Sequence, residues 1–198
     1  MHRTLATLTV VLFSTLACAP SGTSLTSTWR APEMRRLPFR RALTSFVSTD
    51  VGMRRAVEDR LATRIPGSFP AYSAVPELSL SDAEKAREQL RGKLFDGAVV
   101  VRIVEARNEP AGRRDADWST AYPNFYGYWA SSWTTVRNSA QATANKPVQV
   151  EIVIYSLASD RLVWAARTET ASPRSVKEVV DHSVDAAVRE LWAKQMLR

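Results

Sequence analysis

The chain has 198 residues, one cysteine, seven glycines and a formal net charge of +7. One cysteine excludes an intrachain disulfide and any zinc site built on several thiolates, and the scattered glycines exclude a phosphate-cradling loop. The length suits a single domain with a sizeable core.

Met1-His2-Arg3 is a short basic start, and Leu5 to Leu16 is an uncharged apolar run of twelve residues. A bilayer-crossing helix needs about 20, so the run reads as the h-region of a secretory signal spanning residues 1–17. It ends in "TLAC", Thr15 to Cys18. This stretch resembles the lipobox of bacterial lipoproteins. The resemblance implies cleavage before Cys18, acylation of its thiol and of the new amino terminus, and an outer-membrane address, since Ala19 is not the Asp of retained lipoproteins. Several acyl chains anchor stably where one does not. Residues 18–38 hold Ser, Thr and Pro without apolar periodicity and read as a lipidated flexible tether.

The domain is expected over 39–198. "RALTSFVS" (Arg41 to Ser48) is a strand candidate. Asp50 offers an N-cap to a helix on which Met53, Val57, Leu61 and Ile65 form an apolar stripe, with Arg54, Arg55, Glu58 and Asp59 outside it. "FPAYSAVP" (Phe69 to Pro76) reads as a short extended piece limited by its prolines. Ser81 to Glu84 is a capping box opening a second helix. Ala98 to Val101 is an unbroken apolar run, as in a strand buried on both faces, and from Arg102 the strand is expected to leave the core. Residues 110–146 show no clear period and read as an aromatic-rich insertion. Val148 to Tyr155 and Leu162 to Glu169 alternate around "ASD" and predict a hairpin. Ser172-Pro173 opens a helix with a wide apolar face from Val176 to Trp192. The order β-α-β-α-β-β-β-α predicts one α/β domain, with a mixed sheet of about five strands and about three helices.

That order resembles a group of small periplasmic lipoprotein domains: the amino-terminal domain of Tol translocation protein B, the activator lipoproteins of penicillin-binding proteins and the periplasmic part of the curli secretion channel. "PNFYGYW", "VEIVIYSLASDRLVWAARTET" and the closing helix are similar to stretches of uncharacterised bacterial lipoproteins. The resemblance implies binding or assembly at the envelope and brings no catalytic residues.

Seven of the 17 aromatic residues fall between Trp118 and Trp133: Trp118, Tyr122, Phe125, Tyr126, Tyr128, Trp129 and Trp133. Large rings with polar tips suit an interface. The segment reads as a partner-contact or self-association surface, as a membrane-dipping hairpin, or as a loop folded onto its own domain. Nine arginines from Arg30 to Arg64 against four acids suit anionic lipid or an acidic partner, or a solvated face. His182, between Asp181 and Asp185, is expected on the polar side of the last helix rather than on a metal. Asp115 and Asp117 are loop charges beside Arg113 and Arg114 rather than a glycosidase pair. No cofactor, metal, catalytic residue or nucleic acid is expected. The reading is a lipid-anchored outer-membrane protein facing the periplasm; its rivals are a cell-wall enzyme and a carrier of a small apolar ligand.

Overall fold

A computed structural model describes residues 22–80, 82–104, 118–136, 147–171 and 173–197. Six strands form one mixed sheet: β1 (Thr23–Arg30), β2 (Ala42–Val47), β3 (Ser68–Pro70), β4 (Gly97–Val104), β5 (Val148–Ser156) and β6 (Arg161–Thr170), in the order β1-β6-β5-β4-β2-β3. Six helices accompany it: α1 (Val51–Arg64), α2 (Ala71–Ala74), α3 (Ala83–Gly92), α4 (Trp118–Ala121), α5 (Phe125–Thr134) and α6 (Val176–Ala193). The class is α/β, with six strands and six helices among the described residues where about five and three were expected.

The sheet is covered on both sides. Phe46, Val99, Val101, Ile152, Ile154, Trp164 and Ala166 meet α1 and α6 on one face. Leu43, Val47, Ala98, Val100, Val153, Tyr155 and Ala165 meet α3, α4 and α5 on the other. Successive side chains of a strand point to opposite faces, so the central strands have few exposed positions. Handedness explains why α1 and α3 lie on opposite faces. The chain moves outward from β2 to β3 and back across β2 to β4, and a right-handed crossover in each direction requires opposite sides.

Residues 18–38 do not form a tether throughout. Thr23 to Arg30 is a sheet strand, antiparallel to β6, and Thr23 Oγ1 lies 2.7 Å from Thr170 Oγ1. Its register shifts between Leu25 and Ser27. That bulge turns Leu25 toward the α6 face and Trp29 toward the α5 face, and with Thr or Ser at five of its eight positions the strand offers only these two apolar residues as a signal. The tether reading therefore fails over β1 and over 31–38, where Ala31 is buried and Leu37 N donates to Met196 O; residues 18–21 lie outside the described residues.

Helix starts follow side-chain caps. Asp50 accepts from Met53 N, as expected. Asp82 caps α3 by accepting from Lys85 N; Ser81 lies outside the described residues. Ser175 caps α6 by accepting from Glu178 N, so the helix begins at Val176 rather than at Pro173; Ser172 lies outside the described residues. "FPAYSAVP" divides into β3 and the single turn α2.

Glu58 is not outside the α1 stripe but 1% exposed. β3 pairs with β2 only as far as Thr44. Beyond that point the outward Phe46 N–H lacks a strand partner, and Glu58 Oε1 accepts it at 3.2 Å. Oε2 accepts from Tyr72 N at 2.8 Å. The carboxylate thus fills the gap where the edge strand stops, because buried backbone donors must be satisfied.

Candidate functional site

The centre of the sheet carries an ionic triplet on the α5 face. Register places Arg102 of β4 opposite Glu151 of β5, and Glu151 opposite Arg167 of β6. Arg102 Nε donates to Glu151 Oε1 at 2.6 Å, and Arg167 Nη2 donates to Oε2 at 2.9 Å. Glu151 is fully buried. Arg102 does not lead β4 into solvent; its partner holds it within the sheet.

The aromatic segment closes over this triplet. Tyr128 of α5 donates its hydroxyl to Glu151 Oε1 at 3.0 Å, and Tyr122, just after α4, donates to Oε2 at 3.2 Å. Arg102 Nη2 donates to the Tyr122 oxygen at 2.9 Å. The guanidinium carbons of Arg102 and Arg167 lie 5.0 Å from the Tyr128 ring centre and 5.2 Å from that of Trp118, within cation–π range. Trp118 Nε1 donates to Ser27 Oγ, which joins β1 to the cluster.

A second clamp fixes the start of α5. Asn124 caps it by accepting from Gly127 N, and Asp160 Oδ1 accepts from Phe125 N at 2.8 Å. Asp160 Oδ2 also accepts from Arg87 Nη2 at 3.0 Å, and Arg87 lies over the Tyr126 ring. Trp129 Nε1 donates to Ser79 O at 2.7 Å. Trp118, Phe125, Tyr126, Tyr128, Trp129 and Trp133 are all buried, and Tyr122 packs against them. The contact surface expected of these seven residues is corrected: they form the core between the sheet and α5. Their spacing carried the signal. Phe125, Tyr128, Trp129, Ser132 and Trp133 recur at i, i+3, i+4, i+7 and i+8, the period of a helix face, and all five are buried.

The electrostatics follow the geometry. Burial pushes the Glu151 carboxyl up, but Arg102 and Arg167 outweigh it and hold it below the ordinary carboxylate value. Burial and the nearby Glu151 charge raise the Tyr128 and Tyr155 phenols, so both remain protonated donors. Two guanidiniums against one carboxylate leave the triplet with one excess positive charge. Four donors converge on Glu151, which leaves it no free lone pair aimed at a substrate. The arrangement locks strands to helices rather than moving a proton.

The other candidates do not join it. His182 is exposed, and its neighbours are engaged: Asp181 with Arg60 and Lys177, Asp185 with Arg60 and Arg64. Among the described residues no group of three His, Cys, Asp or Glu side chains could hold a metal, and no helix is long and apolar enough to cross a membrane. Cys18, Asp115 and Asp117 lie outside the described residues.

No protein-family model matches the chain, and no curated protein matches it. Among solved structures it is similar to the PelC dodecamer from Paraburkholderia phytofirmans, at 15% identity and a TM-score of 0.45, over 89% of this chain and 99% of that one. A point variant of that dodecamer from the same organism, in another crystal form, matches at 15% identity and a TM-score of 0.39, over 84% and 95%.

Proposed function

We propose that this protein is a lipid-anchored domain on the periplasmic face of the outer membrane, acting through protein contact or envelope assembly. The junction between anchor and sheet carries the reading. "TLAC" ends at Cys18, and β1 starts at Thr23, so four residues separate the acylated position from the sheet. An extended chain spans at most about 3.6 Å per residue, which holds the domain within roughly 18 Å of the acyl chains. β1 is also a sheet edge, with no strand on its outer side among the described residues. Its outward backbone groups can pair with another chain.

Metabolic labelling with an alkyne fatty acid tests the anchor. Wild type takes up label and fractionates with the outer membrane, the Cys18→Ser chain does neither, and globomycin makes the precursor accumulate. Absence of label together with unchanged processing under globomycin would remove the reading. Crosslinking in cells with the acylated protein as bait then identifies what the domain touches.

A further inference from the structure

Where the chain leaves β1 it meets the carboxy-terminal end of α6, and the two enclose an open groove of about 620 Å³. Arg30, Arg35, Arg36, Lys194 and Gln195 line it. All five are exposed, and no carboxylate is among them. Arg30, Arg35 and Arg36 make no ion pair or side-chain hydrogen bond with another described residue, while Lys194 lies 3.8 Å from Glu190.

Helix ends explain only part of this cluster. A helix carboxy terminus carries about half a negative charge, which one cation balances. Lys194, the residue that ends α6, supplies that cation. Three further arginines exceed the requirement. A protein partner would need apolar side chains at the centre of its interface, and none of the five lining residues is apolar. A headgroup layer needs only charge.

We infer that the groove binds the anionic headgroups of a membrane and lays the β1 edge along it. For this orientation the inference rests on the lipid-anchor reading; the charge attraction does not need it. β1 rises about 3.3 Å per residue, so Arg30 lies about 23 Å from Thr23 along the strand. Five peptide steps from Cys18 could not span that distance as well if β1 stood upright with its cationic end on the leaflet. With β1 lying flat, acyl chains hold one end of the edge strand and cations hold the other. Trp192, in the last turn of α6 and 46% exposed, suits headgroup depth.

The test is flotation of the full chain carrying Cys18→Ser, which removes acylation, so its failure is distinct from failure of the labelling experiment. Vesicles are phosphatidylcholine alone or with roughly one-third phosphatidylglycerol, and each cation near an anionic leaflet is worth about a factor of five. Expected is a preference for the anionic vesicles that disappears near 1 M salt, where the screening length is about 3 Å. Replacing Arg30, Arg35, Arg36 and Lys194 by Gln lowers that preference about 100-fold or more. Replacing Arg55, Lys85, Arg174 and Lys177 by Gln, the same loss of charge elsewhere, leaves most of it. Equal loss in both quadruple variants overturns the site in favour of net charge. Undiminished binding by the groove variant overturns it outright. Binding to poly-glutamate without any vesicle preference overturns the membrane in favour of an acidic partner. Circular dichroism of both variants confirms that these exposed changes leave the fold intact.

Discussion

Replacing Glu151 with Gln tests whether the buried triplet holds the sheet through charge. The substitution keeps shape and removes one negative charge between two guanidiniums. Whichever way the amide is turned, its NH2 group meets a guanidinium N–H, which cannot accept. On one side are Arg102 Nε and the Tyr128 hydroxyl; on the other are Arg167 Nη2 and the Tyr122 hydroxyl. At least one bond to a charged donor is lost, since a guanidinium cannot accept while a tyrosine hydroxyl can turn and do so, and two largely buried cations remain without a counter-charge. Breaking a buried pair from one side costs about 3–5 kcal/mol. In a domain of this size each kcal/mol moves the midpoint by about 2–4 °C, so thermal unfolding should fall by roughly 10 °C. Urea unfolding followed by tryptophan fluorescence supplies the free energy, with the slope of the transition checking that compactness is unchanged. A loss below about 1 kcal/mol, the worth of an exposed pair, would refute the claim that the triplet is a desolvated, charge-coupled unit.

The pH dependence separates two buried carboxylates that otherwise look alike. Glu151 is depressed on balance, so its contribution is complete above its unfolded value, near 4.5, and is lost as pH falls through the folded value. Glu58 is raised: burial dominates, and the Tyr72 and Phe46 N–H bonds and Arg54 offset only part of it. Its contribution is therefore present below 4.5 and is lost as pH rises through the folded value. Measured as midpoint against pH, Glu58→Gln should gain on wild type as pH rises above 4.5, whereas Glu151→Gln should lose ground to wild type as pH rises toward 4.5 and run parallel to it above; a Glu58→Gln curve parallel to wild type above 4.5, or a Glu151→Gln curve parallel to it below, would contradict the corresponding assignment. Trp129→Ala should cost about 3–5 kcal/mol, since the ring is 1% exposed and its N–H is bonded to Ser79 O. If unfolding stays at the wild-type midpoint and only an interaction is lost, the aromatic segment is a surface after all.

Much of the frame was legible from one sequence. α6 shows its apolar face, β5 and β6 alternate around a short turn, and Asp50 announces α1, because each signal lies within a few neighbouring residues. What stayed hidden depends on partners distant in sequence. β1 is a Thr- and Ser-rich strand with only Leu25 and Trp29 apolar, so it reads as linker until β6 lies beside it. α5 had a helical period, but its face is made of aromatic rings that also suit an interface, and burial against Tyr155 decides between the two. Glu58 sits on a charged stretch of α1 and turns inward only because β3 ends early.

Arg102, Glu151 and Arg167 show the same limit most sharply. Arg102 and Glu151 are each the single charge of their strand, Arg167 shares β6 with Arg161 and Glu169, and alone each reads as a position facing solvent. Pairing places the three in one row across β4, β5 and β6. A slip of one residue in either pairing would turn a charge to the opposite, apolar face and strand its partner without a counter-ion. The row therefore selects one register for the central strands. Tyr122 and Tyr128 extend that selection to the helical layer, since their hydroxyls reach Glu151 only when α5 is docked. Through Trp118 and Ser27 the same network reaches β1, the strand that begins four residues after the proposed anchor. A load applied at Cys18 would thus enter a strand tied to the charged row at the centre of the sheet. In a domain anchored as proposed, that would be a mechanical reason to keep ions in the core where apolar residues of similar volume would pack as well.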